Sequence, residues 1–284
     1  MTGRAPRHRL ASAAVRPAAR GPALPAPHAG AGQQLLDDLD AGRRRAAWPD
    51  PAAPGGWRVD VALREELLTL FRDSATTGWR LGGLLEFQDR TRLPTKRLAG
   101  GPWRIVPGGT SVRAGSYLGP GVVVMPPSFI NVGAWIGEGA MVDSHVLVGS
   151  CAQVGARVHL AAGVQIGGVL EPPNARPVII EDDVFVGAQC GLFDGVLVGR
   201  GAVLAAGTIL TGTSRLYDLP QSRLLQGTPA NPLTVPRGAV VVPAIRPAAG
   251  AFAAEHGIGL HCAAIVKQRD ASTTARTAIE EALR

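Results

Sequence analysis

The sequence predicts a mainly β protein, a left-handed parallel β-helix of hexapeptide repeats with a small N-terminal helical region and a C-terminal strand and helix cap. One observation carries most of this. From Val106 to Leu216 an aliphatic residue recurs every sixth position: Val106, Val112, Leu118, Val124, Ile130, Ile136, Val142, Val148, Val154, Leu160 and Ile166, then Ile180, Val186, Leu192, Val198, Leu204, Leu210 and Leu216. Neither an α-helix nor an isolated strand has that period, so it belongs to a repeat architecture. A second register, four residues further on, is small or β-branched, as at Ser116, Val122, Ala134, Ala140, Ala152, Val164 and Ala202. The third observation is glycine directly after many of the aliphatics (119, 137, 149, 155, 167, 187, 199), read as a corner where a Cβ is costly.

Each hexad then makes one short strand and a corner, and three hexads close a triangular coil. The two runs amount to about six coils, with a two-residue insertion expected in Pro172–Pro177. Coils in such a stack touch only their neighbours, so the open ends need caps. Ahead of the repeat, Gln34–Ala41 and Asp60–Asp73 carry helical spacing, and the Pro/Gly-rich stretch Trp48–Trp57 reads as a loop. After it, Gly238–Ala244 and Gly259–Lys267 read as strands and Ser272–Arg284 as a helix capped by Ser272. The expected division is a disordered tail (1–33), an N-terminal helical domain (34–103), the β-helix (104–218) and a capping region (219–284).

Composition narrows the function classes. The chain has 284 residues, 37 of them glycine and only 5% aromatic, which suits a narrow prism filled by aliphatics. The formal charge of +7 is misleading, because five arginines and no acid fall in residues 1–34. The remainder lacks the concentrated basic surface that a nucleic-acid partner requires. No stretch reaches the roughly 18–20 apolar residues of a membrane span. Cys151, Cys190 and Cys262 have no metal-ligand spacing, which points to reduced thiols in a cytoplasm and to no bound metal.

Specific words overlie the repeat. They are Arg104-Ile-Val-Pro107, Met125-Pro126, Asn131-Val-Gly-Ala134, Gly139-Ala-Met-Val-Asp143, Val148-Gly-Ser-Cys-Ala-Gln-Val-Gly155, Val158-His-Leu160, Ile166-Gly-Gly-Val-Leu-Glu-Pro172 and Ile179-Ile-Glu-Asp182. Tyr217-Asp218, Gly238-Ala-Val-Val-Val242 and Cys262-Ala-Ala-Ile-Val-Lys267 extend the series. Together they resemble the tetrahydrodipicolinate N-succinyltransferase family, hexapeptide-repeat acyltransferases of the diaminopimelate branch of lysine biosynthesis. The likeness covers about residues 34–284.

That resemblance implies a cytoplasmic homotrimer, no tightly bound cofactor, succinyl-CoA as co-substrate, and transfer of a succinyl group to the amino group of an opened dicarboxylic amino acid. It carries the substrate-binding arginine onto Arg104 and the catalytic aspartate onto Asp143. The chemistry agrees with these residue types: Arg holds a carboxylate through two parallel hydrogen bonds, and an amine attacking a thioester needs a positioned base.

The chain departs from the family at one place. The motif Gly-Ala-Arg-Ser-Glu falls on Gly187-Ala-Gln-Cys-Gly191, so Gly191 stands where a functional glutamate is expected. Asp194 matches a different acid of the family. His145, two residues after Asp143, becomes a candidate for part of the proton transfer because imidazole titrates near neutral pH. Cys190 reads as an inward filler, and a side chain at 191 is expected to project into an open groove. Alternative readings are a paralogue that acylates a related amino acid in specialised metabolism, and a non-catalytic scaffold that keeps only the ladder.

Overall fold

The computed structural model describes residues 31–81, 85–170, 176–228 and 230–277. Residues 1–30 of the expected tail, most of the Pro172–Pro177 insertion and the end of the expected terminal helix lie outside the described residues.

Two-residue strands stack in parallel on three faces of a prism. Face I runs through Ser111–Val112, Phe129–Ile130, Leu147–Val148, Gln165–Ile166, Gly191–Leu192 and Ile209–Leu210. Face II runs through Tyr117–Leu118, Trp135–Ile136, Gln153–Val154, Ile179–Ile180, Leu197–Val198 and Thr234–Val235. Face III begins at Arg104–Ile105 and continues through Val123–Val124, Met141–Val142, His159–Leu160, Phe185–Val186, Val203–Leu204 and the start of Ala239–Pro247. This is a parallel β-helix of about six coils, as the six-residue period requires. The second residue of each strand faces inward, and the ladder from Val112 to Leu210 is buried in one cluster with the small register, Ala134, Ala140, Ala152, Val164 and Ala202 among them. Burying each large aliphatic contributes about 1.5–3 kcal/mol.

The ladder departs from its period at both ends and once in the middle. Ile105, not Val106, pairs with Val124 and packs against the core, because one extra residue lies before Val112. At the other end Val235, not Leu216, lies over Val198. Leu216 leaves the ladder and pairs with Ala263 instead. In the middle, Val154 pairs directly with Ile180, so the excursion after Ile166 is a whole hexad longer than the two residues expected.

The corner glycines act differently from expectation. The glycines that directly follow the aliphatics have ordinary φ; a Cβ on Gly119 or Gly187 would lie 2.6 Å from the backbone N of Glu138 or Ala206 in the next coil. The left-handed residue comes two positions later. Gly fills it at 115, 121, 133 and 139, whereas His145, Cys151, Arg157, Asp183 and Gln189 adopt φ of 55 to 62° there despite their side chains.

The N-terminal region is not purely helical. Helix α1 (Ala31–Asp40) takes in the last residues assigned to the tail, and α2 (Val61–Arg72) is capped by the Asp60 carboxylate, which accepts from the Leu63 N–H at 3.2 Å. Between and after them lie two antiparallel pairs, Ala47–Pro49 with Trp57–Val59 and Thr76–Leu81 with Leu85–Arg90. Only the middle of Trp48–Trp57 is therefore loop. Leu36, Leu39, Leu63, Leu67 and Leu70 pack on Ala114, Val132 and Cys151, at the corner between faces I and II.

At the other end, Ala239–Pro247 leaves face III and pairs antiparallel with Gly259–Gln268, longer than the two strands expected there. Ala263 and Ile265 join Leu216 in closing the prism core. The following helix starts at Ala271, and Asp270 caps it rather than Ser272: Asp270 Oδ1 accepts from the Thr273 N–H at 2.8 Å.

Candidate active site

The expected site residues gather on face III and at its corner with face I. Arg104 is the outward residue of the first strand, exposed, with its backbone N–H donating to the Val122 carbonyl at 2.9 Å. Above it the same outward column continues through Val123, Met141, His159 and Phe185. With coils stacked ~4.8 Å apart, Asp143 lies two coils, ~10 Å, above Arg104 along the face.

Asp143 directly follows the inward Val142, where the chain turns off the strand. Its backbone is locked on both sides: its N–H donates to the Leu160 carbonyl at 2.9 Å, and its carbonyl accepts from Ser128 Oγ at 2.9 Å. Oδ1 accepts from the Ser144 N–H at 2.7 Å, the turn-type contact that a short carboxylate makes readily. Oδ2 points toward the next coil, 3.9 Å from His159 Nε2. The His159 ring meets Phe185 edge-on, with centroids 5.1 Å apart and planes at 87°. Asp143 is half-buried and His159 more deeply so.

His145 is placed otherwise than expected. It sits in the corner rather than along a strand, exposed, with φ of 61° and its N–H donating to the Pro127 carbonyl at 2.7 Å. The imidazole beside the aspartate is that of His159, one coil further on. The Val158-His-Leu160 word marked this residue, but its closeness to Asp143 depends on an 18-residue coil repeat that a linear reading does not measure.

Gly191, where the resemblance led to the expectation of a glutamate, is buried on face I. A Cβ there would lie 2.6 Å from Phe193 Cε2 and 3.0 Å from Ile209 Cδ1. Phe193 also covers Gly167, whose Cβ would lie 2.9 Å from its ring. The expected open groove at 191 is thus occupied by an aromatic ring. Cys190 is fully buried, as a filler should be; its Sγ–H donates to the Ala205 carbonyl at 3.1 Å, and burial pushes its thiol pKa up. Asp194 is exposed in the following corner, with its carboxylate 3.4 Å from the Gly212 N–H. Among the described residues, no three His, Cys, Asp or Glu side chains are grouped to hold a metal ion, and no helix is long and apolar enough to cross a membrane.

A family described as the hexapeptide repeat of succinyl-transferase matches residues 177–212. More extensive likeness comes from whole proteins. A 2,3,4,5-tetrahydropyridine-2,6-dicarboxylate N-succinyltransferase of Rhodopseudomonas palustris is 41% identical over 261 residues, covering 89% of this chain and 88% of that one. Namesakes from Polynucleobacter asymbioticus and Idiomarina loihiensis are each 40% identical, covering 88% of this chain and 87% of their own. The chain belongs to the tetrahydropyridine-2,6-dicarboxylate N-succinyltransferase family. Its relatedness to that family spans helices, prism and cap alike, so these succinyltransferases are matched as whole proteins rather than through the repeat alone.

Proposed function

We propose that this protein transfers a succinyl group from succinyl-CoA to tetrahydrodipicolinate in the diaminopimelate route of lysine biosynthesis. The observation that carries the reading is its end-to-end relatedness, at 40–41% identity, to proteins named for that reaction. Succinyl-CoA serves as co-substrate, with no tightly bound cofactor. In this reading the coil is left-handed, residues 34–103, 104–218 and 219–284 form the N-terminal, acyltransferase and capping units, and the protein works in the cytoplasm.

The residues of face III have distinct tasks. Arg104 grips one carboxylate of the acceptor with its planar fork. Water adds across the cyclic C=N of the acceptor and opens it to an amino keto-diacid, and Asp143 takes the proton that this amine must shed as nitrogen attacks the thioester carbonyl. His159, whose Nε2 lies 3.9 Å from Oδ2, stands where it can pass that proton on. Corner N–H groups steady the tetrahedral oxyanion. Collapse of the intermediate breaks the C–S bond, and the CoA thiolate leaves with the proton. His145 borders this corner and is the second candidate for proton transfer.

Face III is a flat surface, and a long CoA arm needs a groove. A homotrimer with sites between neighbouring prisms provides one. Light scattering on the purified protein reads this directly: an active, stable monomer would overturn it.

A second reading, a paralogue with a different amino acid acceptor, is favoured by one observation, the Phe193 ring packed over Gly191 where the family glutamate is absent. Thiol release from succinyl-CoA separates the two. Release with tetrahydrodipicolinate supports the first, release only with other amino acids supports the second, and none with any pair defeats both.

A further inference from the structure

A cavity of about 490 Å³ lies against face II, on a different side of the prism from Arg104 and Asp143. The pair Ala47–Pro49 and Trp57–Val59 roofs it, and its walls include Trp57, Tyr117 and Trp135, with Arg45, Arg200 and Arg237 around them. Its volume falls in the range of pockets that enclose small organic molecules, far more than an inorganic ion requires.

Three acids, Glu138, Glu181 and Asp182, line this cavity with the three arginines, but their contacts are unevenly shared. Asp182 is committed: Oδ1 accepts from the Ala156 N–H at 2.9 Å, and Oδ2 pairs with Arg200 at 2.7 Å. Glu181 is committed as well, taking the Trp57 Nε1–H at 3.1 Å and the Arg200 backbone N–H at 2.8 Å. Arg45 is attracted by Asp182, yet among the described residues it makes no direct ion pair with a carboxylate. Its Nε–H donates to Gln153 Oε1 at 2.5 Å, and its guanidinium lies 4.1 Å from the Trp135 ring centroid, with Trp57 at 5.2 Å and Trp48 at 5.8 Å. Neither terminal amino group of Arg45 meets an acceptor among the described residues.

Burial lowers the Arg45 pKa to about 10, still cationic at neutral pH. Asp182, already paired with Arg200, offsets part of the cost of burying this cation but does not bond its terminal amino groups. The aromatic cage holds the fork in place, so little side-chain entropy remains to be lost on binding.

We propose that this cavity binds a small organic carboxylate with a flat unsaturated or aromatic body, its carboxylate bridged by the two terminal amino groups of Arg45 and its body against Trp57 and Tyr117. Arg237 and Glu138, both exposed, also line the cavity and offset each other, which leaves the fork of Arg45 as the anion-binding group. The site is separate from the acyl-transfer residues and does not depend on their assignment.

Calorimetric titration of the full chain with benzoate tests the proposal, with inorganic phosphate and succinate as separate arms. Benzoate should bind saturably and more tightly than either comparison anion. Arg45→Met should weaken it by about tenfold or more, the loss expected for a charge-assisted bidentate contact. Trp57→Leu should weaken benzoate but not phosphate. Arg104→Lys should leave benzoate binding unchanged. Because Arg45 also braces Gln153, each variant's melting temperature is compared with the parent, and Arg45→Lys serves as the variant that keeps the charge but loses the fork. Absence of saturable benzoate binding overturns the proposal, as does equal affinity in folded Arg45→Met or Arg45→Lys. Binding lost on Arg104→Lys would place the anion in the acyl-transfer site and also overturn it.

Discussion

His159 Nε2 lies 3.9 Å from Asp143 Oδ2, joining two consecutive coils through side chains that are 16 residues apart in the chain. The other carboxylate oxygen is held by the Ser144 N–H, so the aspartate has one anchored atom and one atom toward the imidazole. Phe185 braces that imidazole from the coil above. Such an arrangement suits a base whose orientation must persist while its proton changes hands.

Asp143→Asn should lower kcat by about 10²-fold or more and leave affinity for succinyl-CoA nearly unchanged, because general-base effects are typically about 10²–10⁴-fold. Turnover close to the parent's would return Asp143 to the turn-forming role of its Ser144 contact.

His159→Asn keeps a polar side chain but removes the titrating ring. It should reduce kcat by about tenfold while the acceptor KM stays within twofold, smaller than the Asp143 effect because His159 acts through the carboxylate. A loss seen only in melting temperature would mark His159 as packing against Phe185 alone.

His145 sits at a left-handed corner position where L side chains are strained by roughly 1–2 kcal/mol. His145→Gly should therefore keep or raise stability, by up to about 1 kcal/mol in denaturant unfolding once glycine's greater unfolded-state entropy is counted. Activity should hold. A tenfold fall in kcat in this folded variant would put His145 into the proton transfer.

Arg104→Lys should raise KM for the acceptor severalfold with a smaller change in kcat, since an ammonium cannot form the two parallel bonds of a guanidinium. An unchanged KM would leave Arg104 as an exposed cation at the prism entrance.

Gly191→Glu now carries a definite expectation. The new Cβ meets the Phe193 ring and Ile209, so the single variant should lose about 1–3 kcal/mol, the usual cost of overpacking. Adding Phe193→Val should recover stability by vacating that space. If activity with tetrahydrodipicolinate rises only in the double variant, the ring and the missing glutamate form one coupled change. Full stability in the single variant would show that Phe193 moves aside freely.

The architecture was legible because a repeat writes its core into local spacing. Sixteen consecutive rungs from Val112 to Leu210 fall inside the prism where the period puts them, each beside its small-register neighbours. The family words were legible for the same reason, being short contiguous runs such as those around Asp143 and Gln153. What escaped linear reading depends on register between coils. Ile105 and Val235 replace Val106 and Leu216 because a rung is defined by the strand it stacks on, which one extra residue or one outward excursion can change. The strands at Thr76–Leu81 and Leu85–Arg90 form by pairing with each other, and their alternation (Trp79, Leu81; Leu85, Phe87) is too short to announce them against the helical spacing before it. Corner geometry was assigned to the wrong glycines because two physical demands, left-handed φ and close approach of stacked backbones, both select glycine but two residues apart. His159 rather than His145 stands beside Asp143 because closure of a coil brings together residues that the chain holds nearly a full turn apart. Phe193, only two residues from Gly191, fills the space over it because its ring folds back across face I onto Gly191 and Gly167. Sequence spacing determined which side chains face inward; only the stacking of one coil on the next decided which outward side chains meet.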